Sequence, residues 1–269
     1  MRRVETALQD LACLEELAEG RSWLHRIEAR AKILVTLAYV VVVASWPPRA
    51  AVELLPLAAY PLVLFLGARL PARILRRPML IALLLAGAVG AANPLLDREP
   101  VRLGTDLVLA GGWLSLASII LRAVLGVSAA LGLIATTGMG RLAHGLKRLG
   151  VPRIAVTQLL FLYRYAFLLG SNAQAMSRAR ELRGGGRPLQ LAAYGPLVGH
   201  LLLRTLDRAE RIHQAMCCRG FQGDVPVGGE AHFGWGDGLF LSGWCLFFLL
   251  LRGGSGVACL GAWVSGVVA

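Results

Sequence analysis

Charge is scarce in this chain. Only 16% of its 269 residues are charged, 56% are hydrophobic and the mean hydropathy is +0.62. So few polar residues cannot cover a soluble core, which excludes an ordinary soluble domain and leaves a membrane protein. Catalytic motifs are missing too: there is no P-loop, nucleophile elbow or HExxH, so the chain by itself carries no visible catalytic machinery. Five cysteines, Cys13, Cys217, Cys218, Cys245 and Cys259, include no CxxC pair and read as small packing residues. His213 and Cys217 have the i,i+4 spacing that can put two ligands on one ion. A transition-metal site wants three or four ligands with hydrogen-bonded support. His25, His144, His200 and His232 offer no clear partners, so no metal site is expected. A cleavable signal is not expected, since the leader has no apolar core of about 7–15 residues with a cleavage site behind it. It is expected to begin with an amphipathic helix.

Long apolar runs are what the chain does have. Roughly 20 residues cross the hydrocarbon at about 1.5 Å each. The runs at 33–46, 50–68, 78–96, 107–137 and 238–251 predict about five crossings, the shorter ones recruiting flanking residues. A further run, 257–269, is too short to cross alone and reads as re-entrant, tilted or the continuation of a neighbour. The fold class is all-α: a polytopic membrane protein with about five or six transmembrane helices and a cytoplasmic helical coupling region.

Basic residues set the orientation. Arginines in the leader and Arg69, Arg73, Arg76 and Arg77 after the second run place both flanks in the cytoplasm, with the WPPRA turn and the DREPVRLG loop outside. Net charge is +12; without interleaved aromatics this does not read as nucleic-acid binding, and it suits flanks facing an anionic lipid bilayer. The segment 141–230 holds thirteen of the 28 basic residues against five acidic ones and is long for a loop. Its apolar stretches VTQLLFLYRYAFLLG and LQLAAYGPLVGHLLL are interrupted by Arg164 or bounded by His200 and Arg204. They read as long helices lying at the membrane surface, although a pair of crossings would leave the charge pattern unchanged. The organisation expected is a leader with four transmembrane helices at 1–137, cytoplasmic coupling helices at 138–232, and one or more transmembrane helices at 233–269.

One phrase occurs twice in the basic segment. Ala179 precedes Arg183-Gly184, and 36 residues later Ala215 precedes Arg219-Gly220. In each copy Arg-Gly ends a helix-prone stretch, with Gly184 and Gly220 suited to the left-handed conformation past a helix end. The bland reading is an arginine meeting terminal carbonyls, worth roughly 0.3–1 kcal/mol. The small Ala179 and Ala215 one turn earlier leave room for another surface to approach. Gly-Gly-Gly-Arg-Pro lies between the copies, so they are two helix ends presenting the same group. Arginine there suits bidentate pairing with a partner's carboxylates, and two ends suggest two similar partner grooves.

These features resemble the transmembrane coupling (T) components of energy-coupling-factor transporters, most closely the cobalt-uptake family CbiQ. HRIEARAKILVTLAYVV is similar to the family's N-terminal entry, with Ala29 where Pro is common before Arg30. SIILRAVLGVSAALGLIATTGM, with Arg122 midway, is similar to its fourth long helix, and GRLAHGLKRLGVPRIAVTQLLFLYRYAFLL to its Leu-Gly-x-Pro turn and Arg-aromatic pair, here Arg164-Tyr165. The signature motifs, usually Ala-Arg-Gly, stand here as Leu182-Arg183-Gly184 and Cys218-Arg219-Gly220. The resemblance implies that the chain binds no cofactor itself. ATP and Mg reside on two partner ATPase subunits that grip the arginine motifs, while a separate substrate-binding membrane subunit captures the substrate, cobalt ion in the nearest family. Nickel or a vitamin is the alternative cargo, and the location implied is the bacterial cytoplasmic (inner) membrane.

Arg122 lies deep in an apolar run, where a charge costs roughly 2.5–3.5 kcal/mol on insertion scales. It is expected to snorkel or to pair with Glu53 or another carboxylate. Rival classes have less to stand on: an intramembrane enzyme would have only scattered Arg122, Glu53 and Asn93, and a stand-alone secondary transporter only Asn93-Pro94 and Gly111-Gly112 as breaks near mid-membrane.

Overall fold

The computed structural model describes residues 13, 15–20, 22–47, 52–68, 71–93, 100–103, 107–185, 194–223 and 233–253. The expected leader helix falls mostly, and the 257–269 run wholly, outside the described residues. The chain forms two compact units, one of Leu14–Gly138 with Ala231–Ala269 and the other of Met1–Cys13 with Met139–Glu230.

The first unit is a helical bundle. After a single turn at Trp23–Arg26 come α1 (Ala29–Ala44), a 3-10 helix (Val52–Ala58), α2 (Ala59–Ala68), α3 (Ala72–Gly90) and α4 (Gly111–Thr137), and later α8 (Trp235–Arg252). The run expected as one helix over 50–68 is divided because Pro56 sits inside its first part; proline lacks the N–H an α-helical turn requires. The run at 107–137 is divided as well. Its first four residues are strand β2 (Leu107–Ala110), paired antiparallel with β1 (Pro100–Leu103), Val101 opposite Leu109, so a small hairpin interrupts the helical fold.

Side chains from α1, α2, α4 and α8 make the core. Tyr39, Tyr60, Leu64, Leu125, Ala129 and Phe248 are all buried there. Ring centroids of Tyr39 and Tyr60 are 4.8 Å apart, and those of Tyr60 and Trp244 4.9 Å, within the range of favourable offset and edge contacts. Tyr60 donates its hydroxyl proton to Thr36 Oγ1 at 2.6 Å, and Thr36 donates in turn to the Lys32 carbonyl at 2.7 Å. α2 and α4 approach closely at Gly132, where a Cβ would come within 2.9 Å of Leu64. Small residues at such crossings are how apolar helices pack without a hydrophobic driving force.

Polar contacts fix the directions of the helices. Glu28 and Asp237 meet at the start of α1 and α8, and Ser45 and Arg252 meet at their ends, so these two run parallel. α4 runs against them, since Thr136 meets Lys32 at one end and Arg122 meets Trp46 and Pro47 at the other. The chain therefore leaves this bundle at Gly138 and returns at Gly234 on the same end.

The second unit contains α5 (Met139–Arg148), α6 (Arg153–Arg183) and α7 (Tyr194–Cys218). α5 stops at Gly150, whose φ of 95° only glycine adopts freely, and Pro152 precedes α6. α6 and α7 are antiparallel: Thr157, near the start of α6, bonds the Gly223 carbonyl beyond the end of α7 at 3.4 Å.

By length and composition three of the described helices can cross a membrane: Gly111–Thr137, Arg153–Arg183 and Trp235–Arg252. α1, with 16 residues, spans about 24 Å and needs its flanks to cross.

Candidate functional site

Both arginine motifs lie in the second unit at helix ends. α6 runs through Leu182 to Arg183, and α7 through Ala215 to Cys218 with Arg219 just beyond. Ala179, Leu182, Arg183, Gly184, Ala215, Cys218, Arg219 and Gly220 are all exposed. Among the described residues neither the Arg183 nor the Arg219 guanidinium has a hydrogen-bond or ion-pair partner, so neither satisfies the terminal carbonyls of its own helix. Those carbonyls are served by the backbone. At the second motif the N–H groups of Gly220 and Phe221 bond the carbonyls of Cys217 and Met216, each at 3.0 Å, a Schellman closure with Gly220 at φ 79°.

The first motif departs from the expected register. Gly184 has φ −85°, and the left-handed residue is Gly185 at φ 68°. The cause is the run Gly184-Gly185-Gly186: with glycine at successive positions the helix extends one residue further before the chain turns. Arg183 is consequently two residues before its left-handed glycine and Arg219 one before its own, a difference of about 100° around the helix axis. The repeated phrase yields two ends of similar chemistry and different azimuth.

The two ends are also far apart. Arg183 lines a cavity of about 740 Å³ with Ala179, Arg180, Leu197, His200 and Arg204, near the start of α7. From His200 to Arg219 is close to 30 Å at about 1.5 Å per residue. Arg164, exposed midway along α6, joins neither end.

Arg122 sits in the bundle. Its guanidinium does not meet Glu53; it donates to the carbonyls of Trp46 at 2.9 Å and Pro47 at 2.5 Å, while Glu53 accepts from Trp46 Nε1 at 2.8 Å. Arg252 arrives from α8, bonding the Ser45 carbonyl at 3.1 Å and the Ser45 hydroxyl, with its guanidinium 5.6 Å from the Trp46 ring centroid. The physical reason is that α1 ends here. The carbonyls of Ser45, Trp46 and Pro47 just beyond its last residue, Ala44, point away from any helical donor at the negative end of the helix dipole, so two cations satisfy them without a carboxylate.

At the opposite end of α1 lies a polar cluster that sequence reading passed over. Lys32 is 1% exposed, Glu28 6% and Asp237 7%. Lys32 borders the first apolar run and read as a flank. Asp237 had a signal, because an acidic residue three positions after a helix N-cap can reach back to the N-cap N–H, one half of a capping box, and Asp237 accepts the Gly234 N–H in this way.

His213 Nε2 and Cys217 Sγ approach to 3.6 Å on the exposed face of α7. Among the described residues no group of three or more His, Cys, Asp or Glu side chains converges.

Long apolar helices, exposed leucines such as Leu66, Leu84 and Leu249, and arginines held by backbone carbonyls beyond a helix end define a multi-pass helical membrane protein. Comparison with known proteins narrows this class. The family model described as Cobalt transport protein, CbiQ, matches residues 20–227. A cobalt transport protein CbiQ of Rhodobacter capsulatus is 30% identical over 221 residues, covering 81% of this chain and 87% of that protein. The energy-coupling factor transporter transmembrane protein EcfT of Leuconostoc gelidum subsp. gasicomitatum is 27% identical over 227 residues, 77% of this chain and 82% of that one. The chain belongs to the CbiQ family of T components of energy-coupling-factor transporters. As such it is a non-catalytic transporter subunit.

Proposed function

We propose that this chain transmits the work of two ATPase subunits to a separate substrate-binding membrane subunit, in a complex that takes up cobalt ion. ATP and Mg are held by the ATPase subunits. Arg183 and Arg219 each pair with carboxylates of one ATPase subunit, and Ala179 and Ala215 leave space for the approach. The observation that carries this reading is the pair of exposed guanidiniums, without partners among the described residues, at helix ends close to 30 Å apart: each is free to enter a different groove. The shared end at which the chain leaves and re-enters the bundle supports it as well, since a cytoplasmic coupling region must begin and end on one side of the membrane. In this orientation the N-terminus and the segment 138–232 are cytoplasmic. Cobalt as the cargo is supported by the family description and the Rhodobacter relative's name.

The test is to purify the chain with its genetic neighbours, count the ATPase subunits that accompany it, and measure ATP-dependent uptake of Co²⁺, Ni²⁺ and a vitamin by the reconstituted complex. Two ATPase subunits and Co²⁺ uptake are expected. A chain that purifies alone and transports by itself would overturn the reading.

A further inference from the structure

At one end of the bundle, four charged residues gather around the first turn of α1. Asp237 stands in the first turn of α8, and its carboxylate divides its two oxygens between two helix starts. Oδ2 accepts the Gly234 N–H of its own helix at 2.8 Å, and Oδ1 accepts the Glu28 N–H, the N-cap of α1, at 2.7 Å. Two parallel helices present their positive ends side by side here, and one buried carboxylate serves both. Glu28 receives Arg30 Nε on its own carboxylate at 2.6 Å. One turn further along α1, Lys32 Nζ donates to the Thr136 carbonyl at 3.0 Å, placing an ammonium at the negative end of the antiparallel α4.

Thr136 and Asp237 are not arbitrary attachment points. Thr136 is the last residue but one of α4, and Gly138 then turns the chain at φ 71°, where any Cβ would meet that of Ala18 at 3.0 Å. Asp237 lies three residues past Gly234, where the chain returns. Both roots of the intervening segment are therefore tied to α1 within five residues of each other, at Glu28 and Lys32. The other end of α1 is held by Arg122 and Arg252, so this helix is pinned at both ends by hydrogen bonds to charged groups. Apolar contacts allow helices to slide and rotate past one another; directional bonds to buried charges fix register. Apolar residues of the same volume would pack here at lower desolvation cost.

We propose that the first turn of α1 is the fixed point for both roots of the coupling segment, with Lys32 and Asp237 as positioning residues that keep ATP-driven motion from dissipating in the bundle. The inference rests on the T-component reading given above. In the complex reconstituted with its ATPase and substrate-binding subunits, the quantity to measure is Co²⁺ taken up per ATP hydrolysed. Lys32→Met and Asp237→Asn are expected to retain both ATPase subunits and hydrolysis while this ratio falls about tenfold, the scale on which coupling residues act. Lys32→Arg and Asp237→Glu should recover part of it. A role in folding alone would lower the amount of complex and leave the ratio untouched; that result overturns the proposal. If the two primary variants fail to accumulate, the conservative pair decides, and a wild-type ratio in both overturns it equally. Failure of the wild-type chain to bring down ATPase subunits would instead strike the T-component reading, and is distinguished by that pull-down.

Discussion

Replacing Arg183 and Arg219 by alanine separates the two meanings of an arginine at a helix end. Both guanidiniums are exposed and without partners among the described residues, and the helix termini are closed by Gly185 and Gly220. In the isolated chain each replacement therefore removes only an interaction with the helix dipole, about 0.3–1 kcal/mol at most. In the complex, truncating one partner of a desolvated charge pair costs about 2–5 kcal/mol. At roughly 1.4 kcal/mol per factor of ten, each single variant should weaken the docking of one ATPase subunit by about 30-fold or more. The double variant should lose both, and ATP-driven uptake with them. Lysine should rescue poorly, because a point charge does not reproduce the planar fork. The assay is titration of ATPase subunits onto the purified membrane protein, with uptake measured in liposomes and thermal stability of the chain measured alone. A double variant that binds ATPase subunits within about threefold of wild type, a change near 0.65 kcal/mol, and transports normally would refute the reasoning.

The offset of the two motifs gives a second expectation: Gly185→Ala and Gly220→Ala should each destabilise their helix ends by about 1–2 kcal/mol, whereas Gly184→Ala, at φ −85°, should be tolerated in a thermal melt. Cysteines placed singly at positions 100 and 186 in a cysteine-free background should label from opposite sides of the membrane, 186 from the cytoplasm; labelling of 186 from outside intact cells would remove the coupling assignment. Joint replacement of Cys217 and Cys218 by alanine should leave uptake within about twofold, since a transition-metal site wants three or four ligands and His213 with Cys217 supplies two.

The membrane class, the apolar helices and the arginine motifs were legible in the sequence because each depends on neighbours within a few turns: run length, composition, and the glycine that follows an arginine. Local chemistry was also where the reading was slightly wrong. Three consecutive glycines at 184–186 make the closing residue ambiguous, and only the folded helix shows that Gly185 takes the left-handed position. Likewise Pro56 and the hairpin at Pro100–Ala110 cut short two runs that hydropathy alone treats as continuous, since hydropathy records how apolar a segment is and not which backbone groups it can bond.

What the tertiary structure decided is where the charges go. Arg122 finds the end of α1 across 76 residues of chain, Lys32 finds the end of α4 across 104, and the Glu28 amide finds Asp237 across 209. No local pattern encodes these pairings, because they depend on helix direction: α1 and α8 had to lie parallel and α4 antiparallel before a carboxylate could serve two positive ends and cations could meet negative ones. The sequence supplies the ionic groups and the helix termini, and the packing of the bundle selects which termini they serve.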